Sequence, residues 1–379
     1  MPPILSPLRP SARTRTRFLL GRLAAQNILR PRRLVDPPKR ILVSLYYRGL
    51  GDVILLTPLI AALRSRYPEA DIVLTMPKAY LSLYSGRPYA LMPVPFDIGV
   101  SETVRLIRGM GPYDLALVPG ENRQAWLARA VGARWIRGFE GGHRRHRLAI
   151  DEPIPFPAHI EPFSDLWARL AGPLCGQVYR ANDWPPPRRE RLDGSPKDPP
   201  YVVLHTGASS SARLWSAGQW RALAEILTSK GLSVVLTSGP GQGDLLRQID
   251  QTQTWVHYPG NLSLACMWHL LKHADLLVVP DTGIAHLAKI TQTPTVVLFG
   301  QCDPRLYDPG KFWADMGYEA VTVGNIPCRD QQWFLHRPSP WGDLRRCMRT
   351  LEECRYGKRC MEDLTVEAVA EAALSLRRR

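Results

Sequence analysis

Three short polar stretches carry residue types suited to gripping an anion or moving a proton, and each follows an apolar run. The first is Asp281-Thr282-Gly283, followed by two residues and His286. Gly283 lets a backbone come close to a ligand, and a helix starting there would aim unpaired N–H groups outward. The same letters also suit a plain helix cap at Asp281 or Thr282. The second stretch runs from Thr206 through Gly207, Ala208 and Ser209 to Arg213. It offers N–H, O–H and guanidinium donors of the kind a diphosphate accepts. The third is Gly51-Asp52-Val53, in which Asp52 is either a helix cap or a catalytic base.

The elements that must hold these stretches read as strands and helices in alternation. Arg40 to Leu45 is an apolar strand, and Ile54 to Tyr67 has helical spacing. Leu276 to Val279 and Val296 to Phe299 are strands flanking a helix that ends near Thr291. Between them, Tyr201 to His205 and Leu232 to Thr237 are strands, the latter leading into Ser238-Gly239-Pro240. This is an α/β pattern with parallel sheets, in which ligands sit at the carboxyl ends of strands. The turn at Gly51 lacks both the GxGxxG spacing of a dinucleotide fold and the lysine of a P-loop. Composition shifts to Pro, Arg and Asp over 179–200, which marks a linker. The expected organisation is a basic extension over 1–39, a first domain over 40–178, the linker, a second domain over 201–360 and a closing helix within 361–379.

The chain has 379 residues, enough for two domains, and 45% hydrophobic content marks it as globular. No apolar run reaches the length of a membrane span. A formal charge of +15 implies an acidic partner: nucleic acid, anionic lipid or a phosphorylated substrate. No nucleic-acid recognition motif accompanies that charge. Arginines crowd residues 1–40 around a short apolar stripe, which suits contact with an anionic membrane surface or a disordered extension. Lys78, Arg87 and Arg123 follow candidate strands, and Arg144 and Arg145 sit in a basic loop. If such bases line the cleft, they suit a phosphorylated acceptor. Seven cysteines without a secretory signal point to a reducing compartment and free thiols. Four of them, Cys328, Cys347, Cys354 and Cys360, crowd the tail without paired CxxC spacing. Structural thiols are expected there in preference to a zinc or iron site.

Taken in order, Gly51-Asp52-Val53, His205-Thr206-Gly207-Ala208-Ser209 with Arg213 and Trp215, Gly239-Pro240, and Asp281-Thr282-Gly283-Ile284-Ala285-His286-Leu287-Ala288 resemble glycosyltransferase family 9. This is the ADP-heptose:lipopolysaccharide heptosyltransferase group, and the resemblance spans roughly residues 40 to 375. It implies a GT-B architecture, two Rossmann-like domains facing a cleft, with the last helix crossing back to the first domain. It further implies an inverting, metal-independent transfer with no cofactor, in which a nucleotide sugar, ADP-heptose first, gives its sugar to an anionic glycolipid or phosphorylated glycan. Asp52 would be the base. Thr206, Ser209, Arg213, Gly239, Asp281, Thr282, Gly283 and His286 would meet the donor; Gly51, Lys78, Arg123, Arg144 and Arg145 would meet the acceptor. Relatives commonly have lysine where Arg213 stands, which changes the shape of the charge. The acidic residue that usually holds ribose is missing from its place, so Asp244 is the substitute, and Leu262 takes the position that stacks on the base. The implied location is cytoplasmic, peripheral on the inner face of the membrane. Two alternatives stand beside this reading: transfer of another sugar to a protein or other acceptor, and a catalytically silent scaffold that binds anionic glycolipid.

Overall fold

The computed structural model describes residues 32–377 apart from 46, 48, 173–176, 189–199 and 325. The membrane-surface expectation for the first 31 residues and the second half of the Pro-rich linker therefore lie outside the described residues.

Two six-stranded parallel sheets form the two halves. The first contains β1 (Arg40–Val43), β2 (Asp71–Met76), β3 (Met92–Pro95), β4 (Leu115–Val118), β5 (Trp135–Phe139) and β6 (Glu152–Ile154), in the order β3-β2-β1-β4-β5-β6. The second contains β7 (Tyr201–His205), β8 (Ser233–Ser238), β9 (Val256–Pro259), β10 (Leu276–Pro280), β11 (Thr295–Phe299) and β12 (Tyr318–Thr322), in the order β12-β11-β10-β7-β8-β9. Counted from its own first strand, each sheet has the doubly wound order, so the expected two-lobed α/β architecture is present. The order reverses between β1 and β4 in one lobe and between β7 and β10 in the other. A crevice opens at such a switch point, and all three polar stretches follow strands that border one.

The strands are short aliphatic runs because both of their faces are covered; every residue of β7, β10 and β11 is buried. Register is held by pairs such as Leu277 with Val203 on one side and with Thr295 on the other. Helices fill the crossovers: α1 (Leu50–Ile54), α2 (Thr57–Arg66), α3 (Val100–Gly109), α4 (Gln124–Ala130), α5 (Arg144–Arg147), α6 (Phe163–Ala168), α7 (Ala217–Ser229), α8 (Gly243–Ile249), α9 (Leu264–His273), α10 (Gly283–Thr291), α11 (Arg359–Glu362) and α12 (Val366–Leu376). The sides of the sheets that carry Leu74 and Val279 belong to one continuous apolar core, while the opposite sides have separate cores.

One expectation is corrected. The last helix does not return to the first lobe: Val369, Ala370 and Ala373 of α12 are buried with Trp220, Leu223 and Leu227 of α7 on the second lobe. Trp215 and Gln219 fix its approach by donating to the Leu364 carbonyl at 3.1 and 3.0 Å. An apolar stripe predicts a buried face, and the groove beside α7 is the one that receives it. The first part of the Pro-rich linker is packed against both lobes. Trp184 is fully buried against Tyr84, 4.8 Å between ring centres, and Tyr179 donates to the Ile290 carbonyl at 2.8 Å. The lobes are further tied by Trp341, which donates to the Pro157 carbonyl at 3.0 Å.

Candidate active site

Asp52 lies in the first turn of α1, with Gly49 as the preceding cap residue. Its carboxylate folds back over the helix start and accepts the Gly49 N–H. The carboxylate can therefore satisfy an orphan donor of the helix start with one oxygen and keep the other free. Burial pushes its pKa up to about 6, the Gly49 N–H opposes this, neighbouring Asp281 adds to the rise, and Arg213 lowers it. Such a carboxylate is ionised at neutral pH and still basic enough to take a proton from a hydroxyl as the hydroxyl reacts.

The meeting of Asp52 with residues of the second lobe depends on two glycines. A Cβ on Gly283 would lie 2.8 Å from the Leu50 Cβ and 3.2 Å from the Gly51 nitrogen. A Cβ on Gly51 would lie 2.4 Å from Cδ2 of His286. Helices α1 and α10 thus touch backbone to backbone across the lobe junction, and the N-terminus of α10 arrives beside Asp52. His286 is buried and neutral, its pKa driven well below the ordinary range by burial and by Lys289. Its ring lies against Gly51 and 5.7 Å from that of Tyr307, a packing position at the junction.

At the second lobe's switch point, Arg213 donates to the Asp281 carbonyl at 3.0 Å and lies 3.9 Å from its carboxylate. The Cys302 thiol donates to the Asp281 carboxylate, and burial, first, then that carboxylate's charge raise the thiol's pKa to about 12. Thr282 is the cap residue of α10 but makes no cap bond, and its buried Oγ1 has no partner. A hydroxyl, a helix N-terminus and a guanidinium therefore converge where an anion would be held. Next to them the loops after β7 and β8 pack glycine on glycine: a Cβ on Gly207 would lie 2.5 Å from the Gly239 nitrogen. Gln242, which sequence reasoning passed over, donates to the Ala208 carbonyl at 2.6 Å and locks these loops together.

The remaining candidates fall into different places. Ser209 is exposed on the same loop, and Leu262 is partly buried against the shared core. Thr206 is fully buried and spends its hydroxyl on the Thr237 carbonyl at 3.3 Å, so it braces the loop from beneath. Asp244 is exposed and pairs with Arg247 on its own helix. In the first lobe Arg123 pairs with Glu121, Lys78 is exposed, and Arg144 and Arg145 are exposed on α5. Among the described residues, no group of three or more His, Cys, Asp or Glu side chains has a metal-holding arrangement, and the four tail thiols are free.

The family model for glycosyltransferase family 9 (heptosyltransferase) matches residues 104–331. Lipopolysaccharide heptosyltransferase 3 of Escherichia coli is 26% identical over 308 residues, 74% of this chain and 89% of that protein. Lipopolysaccharide heptosyltransferase 1 of Pseudomonas aeruginosa is 30% identical over 232 residues, 57% of this chain and 61% of the relative. Among solved structures, the E. coli ADP-heptose lps heptosyltransferase II superposes with a TM-score of 0.63 at 20% identity, over 89% of this chain and 98% of that one.

Proposed function

The chain belongs to glycosyltransferase family 9, and from that premise we propose that it moves heptose from ADP-heptose to a sugar of the lipopolysaccharide core, with inversion and without a metal. The observation that supports this reading is the contact of α1 with α10, which sets the Asp52 carboxylate of one lobe beside the helix N-terminus of the other. The nucleotide diphosphate would rest on Arg213, the Thr282 hydroxyl and the first N–H groups of α10. The acceptor would enter from the first lobe.

In this arrangement Asp52 takes the acceptor hydroxyl proton as the oxygen attacks the anomeric carbon. The diphosphate leaves from the opposite face of an oxocarbenium-like sugar. Charge gathers on the departing oxygens, and donors already aimed at them need no reorganisation. Asp281, fixed by Cys302 and next to Arg213, is placed to orient sugar hydroxyls or the guanidinium itself. The protein would work at the cytoplasmic face of the inner membrane, and no helix among the described residues is long and apolar enough to cross a bilayer.

The test is transfer from ADP-heptose to lipopolysaccharide truncated before its heptoses, with a panel of other sugar nucleotides and a protein acceptor alongside. Heptose transfer that is lost in Asp52→Ala, while ADP still binds, is the expected result. Transfer of another sugar, or transfer only to protein, would replace the substrate assignment; ADP binding with no transfer would leave a silent binding module.

A further inference from the structure

A second set of charges lies at the first lobe's switch point, and it comes mainly from the irregular segment that follows β12. There β13 (Trp333–Phe334) and β14 (Arg337–Pro338) form a hairpin whose two linking residues, Leu335 and His336, both have left-handed backbones, φ 47° and 59°. Non-glycine residues keep that conformation only when their surroundings hold them there. The holding comes from Arg337, which reaches across the lobe junction and donates to the Gly120 carbonyl at 3.1 Å and to the Glu140 carbonyl. His336 meets the Glu121 carboxylate at 3.1 Å, and Arg123 pairs with that same carboxylate.

Tyr47, just after β1, closes the group: a Cβ on Gly120 would lie 2.5 Å from its ring. Its hydroxyl is buried, has no hydrogen-bond partner, and feels the charges of Asp52 on one side and of Arg337, Arg123 and Arg346 on the other. Arg346 is 9% exposed, yet among the described residues its side chain is held only by a 3.4 Å bond to the Trp333 carbonyl and by the Met348 sulfur, and its Nε has no partner there. Among the described residues neither Arg337 nor Arg346 has a carboxylate at ion-pair distance. Glu121 thus serves Arg123 and His336, Glu140 is the carboxylate whose charge acts on Arg337, and Arg346 is left without one in a largely buried place. A buried guanidinium so placed is costly unless a counter-ion arrives.

We propose that Tyr47, Arg123, Arg337 and Arg346 form a subsite for an anionic group of the acceptor, a phosphate or a sugar carboxylate, seated between the Tyr47 hydroxyl and Arg346 beside Asp52. The inference rests on the transferase reading and deepens it by naming what the acceptor side recognises. Its position at the ends of β1 and β4 matches the first lobe's crevice, as the donor loops match the second. Arg337 is the positioning member, since its bonds all go to backbone carbonyls. Arg346, with donors to spare, is the member that meets the ligand.

The test uses the full chain with ADP saturating, so that the nucleotide site is filled. Sodium phosphate should raise the melting temperature of the wild type by at least 2 °C over sodium chloride of equal ionic strength. Arg346→Gln should melt higher than the wild type in chloride, because excess buried charge is gone, and should lose the phosphate increment; Tyr47→Phe should lose most of it. A lower melting temperature for Arg346→Gln in chloride, or an unchanged increment, would overturn the subsite. With truncated lipopolysaccharide, Arg346→Gln should raise the acceptor KM about tenfold and leave the donor KM within twofold, and Arg346→Lys should restore part of the loss. A rise in donor KM with the acceptor KM untouched would assign the arginine to the donor instead and overturn the proposal. Dephosphorylated acceptor separates the two sources: closure of the gap between wild type and variant identifies phosphate, and persistence identifies carboxylate. Absence of any transfer by the wild type sinks the transferase reading, while the phosphate increment still tests the anion subsite.

Discussion

Replacing Asp52 by Asn should stabilise the protein while stopping its chemistry, and the gain should depend on pH. Burial chiefly, with help from Asp281, lifts the folded-state pKa from 3.8 to about 6 against the opposing Gly49 N–H and Arg213. A carboxyl raised in this way binds its proton more tightly when folded. The folded chain then carries more protons than the unfolded one between these two values, and stability falls as pH rises through that window. A rise of about 2 units at 1.36 kcal/mol each gives a cost of about 3 kcal/mol at pH 7.5, where both states are ionised. At pH 4.5 the folded carboxyl is still protonated and only about 1 kcal/mol has accrued. Asn keeps an oxygen for the Gly49 N–H and carries no charge, so the variant should recover these amounts. Calorimetric melting at the two pH values measures the difference, with ADP titration as a check that the second lobe is intact. Loss of transfer by roughly a thousandfold should accompany the gain, within the usual range for a general base. Equal shifts at both pH values, or destabilisation at pH 7.5, would refute the idea that the carboxylate is held against its preference.

The two neighbours of Asp52 should move the acid limb of kcat/KM in opposite directions. Removing a like charge by Asp281→Asn should shift it below about pH 6, and removing a cation by Arg213→Gln should shift it above, with weaker ADP binding in the latter; limbs that move together would refute the assignment. Gly283→Ala places a methyl 2.8 Å from the Leu50 Cβ. It should cost roughly 1–3 kcal/mol in stability and, by displacing one lobe against the other, on the order of a hundredfold in kcat; a kcat within threefold of wild type would show that the contact does not set the geometry. Transfer should persist in excess EDTA, and loss that added magnesium restores would overturn the metal-free mechanism.

Much of this was legible because parallel sheets follow strict rules. Aliphatic runs followed by Gly, Asp or Thr marked strand ends, and strand ends at a switch point are where such folds bind ligands. What escaped depends on contacts between distant residues. Gly283 read as room for a ligand and Gly51 as an acceptor contact, and nothing in their own neighbourhoods shows that each makes room for the other's helix. Arg337 lies 217 residues from the Gly120 carbonyl it binds, in a segment with no periodicity, so neither its reach nor the buried, unpartnered Nε of Arg346 could be read. Asp244 was legible as an acid near a helix start, but its pairing with Arg247 was not. The stripe on α12 showed a buried face without naming the lobe that covers it.

The junction itself explains why a costly carboxylate is retained. Asp281 makes Asp52 harder to ionise, and a fold optimised for stability alone would not hold the two carboxylates so near each other. Arg213 is what keeps the pair tolerable, because it lowers the Asp52 pKa while bonded to the Asp281 backbone. The same guanidinium is the natural grip for a diphosphate, and a bound diphosphate divides its charge. Less of that charge then reaches Asp52, whose affinity for a proton must rise when the donor is seated. In the proposed reaction Asp52 would thus be strongest as a base when there is a sugar to transfer, a coupling that follows from placing one cation between two carboxylates and a leaving group.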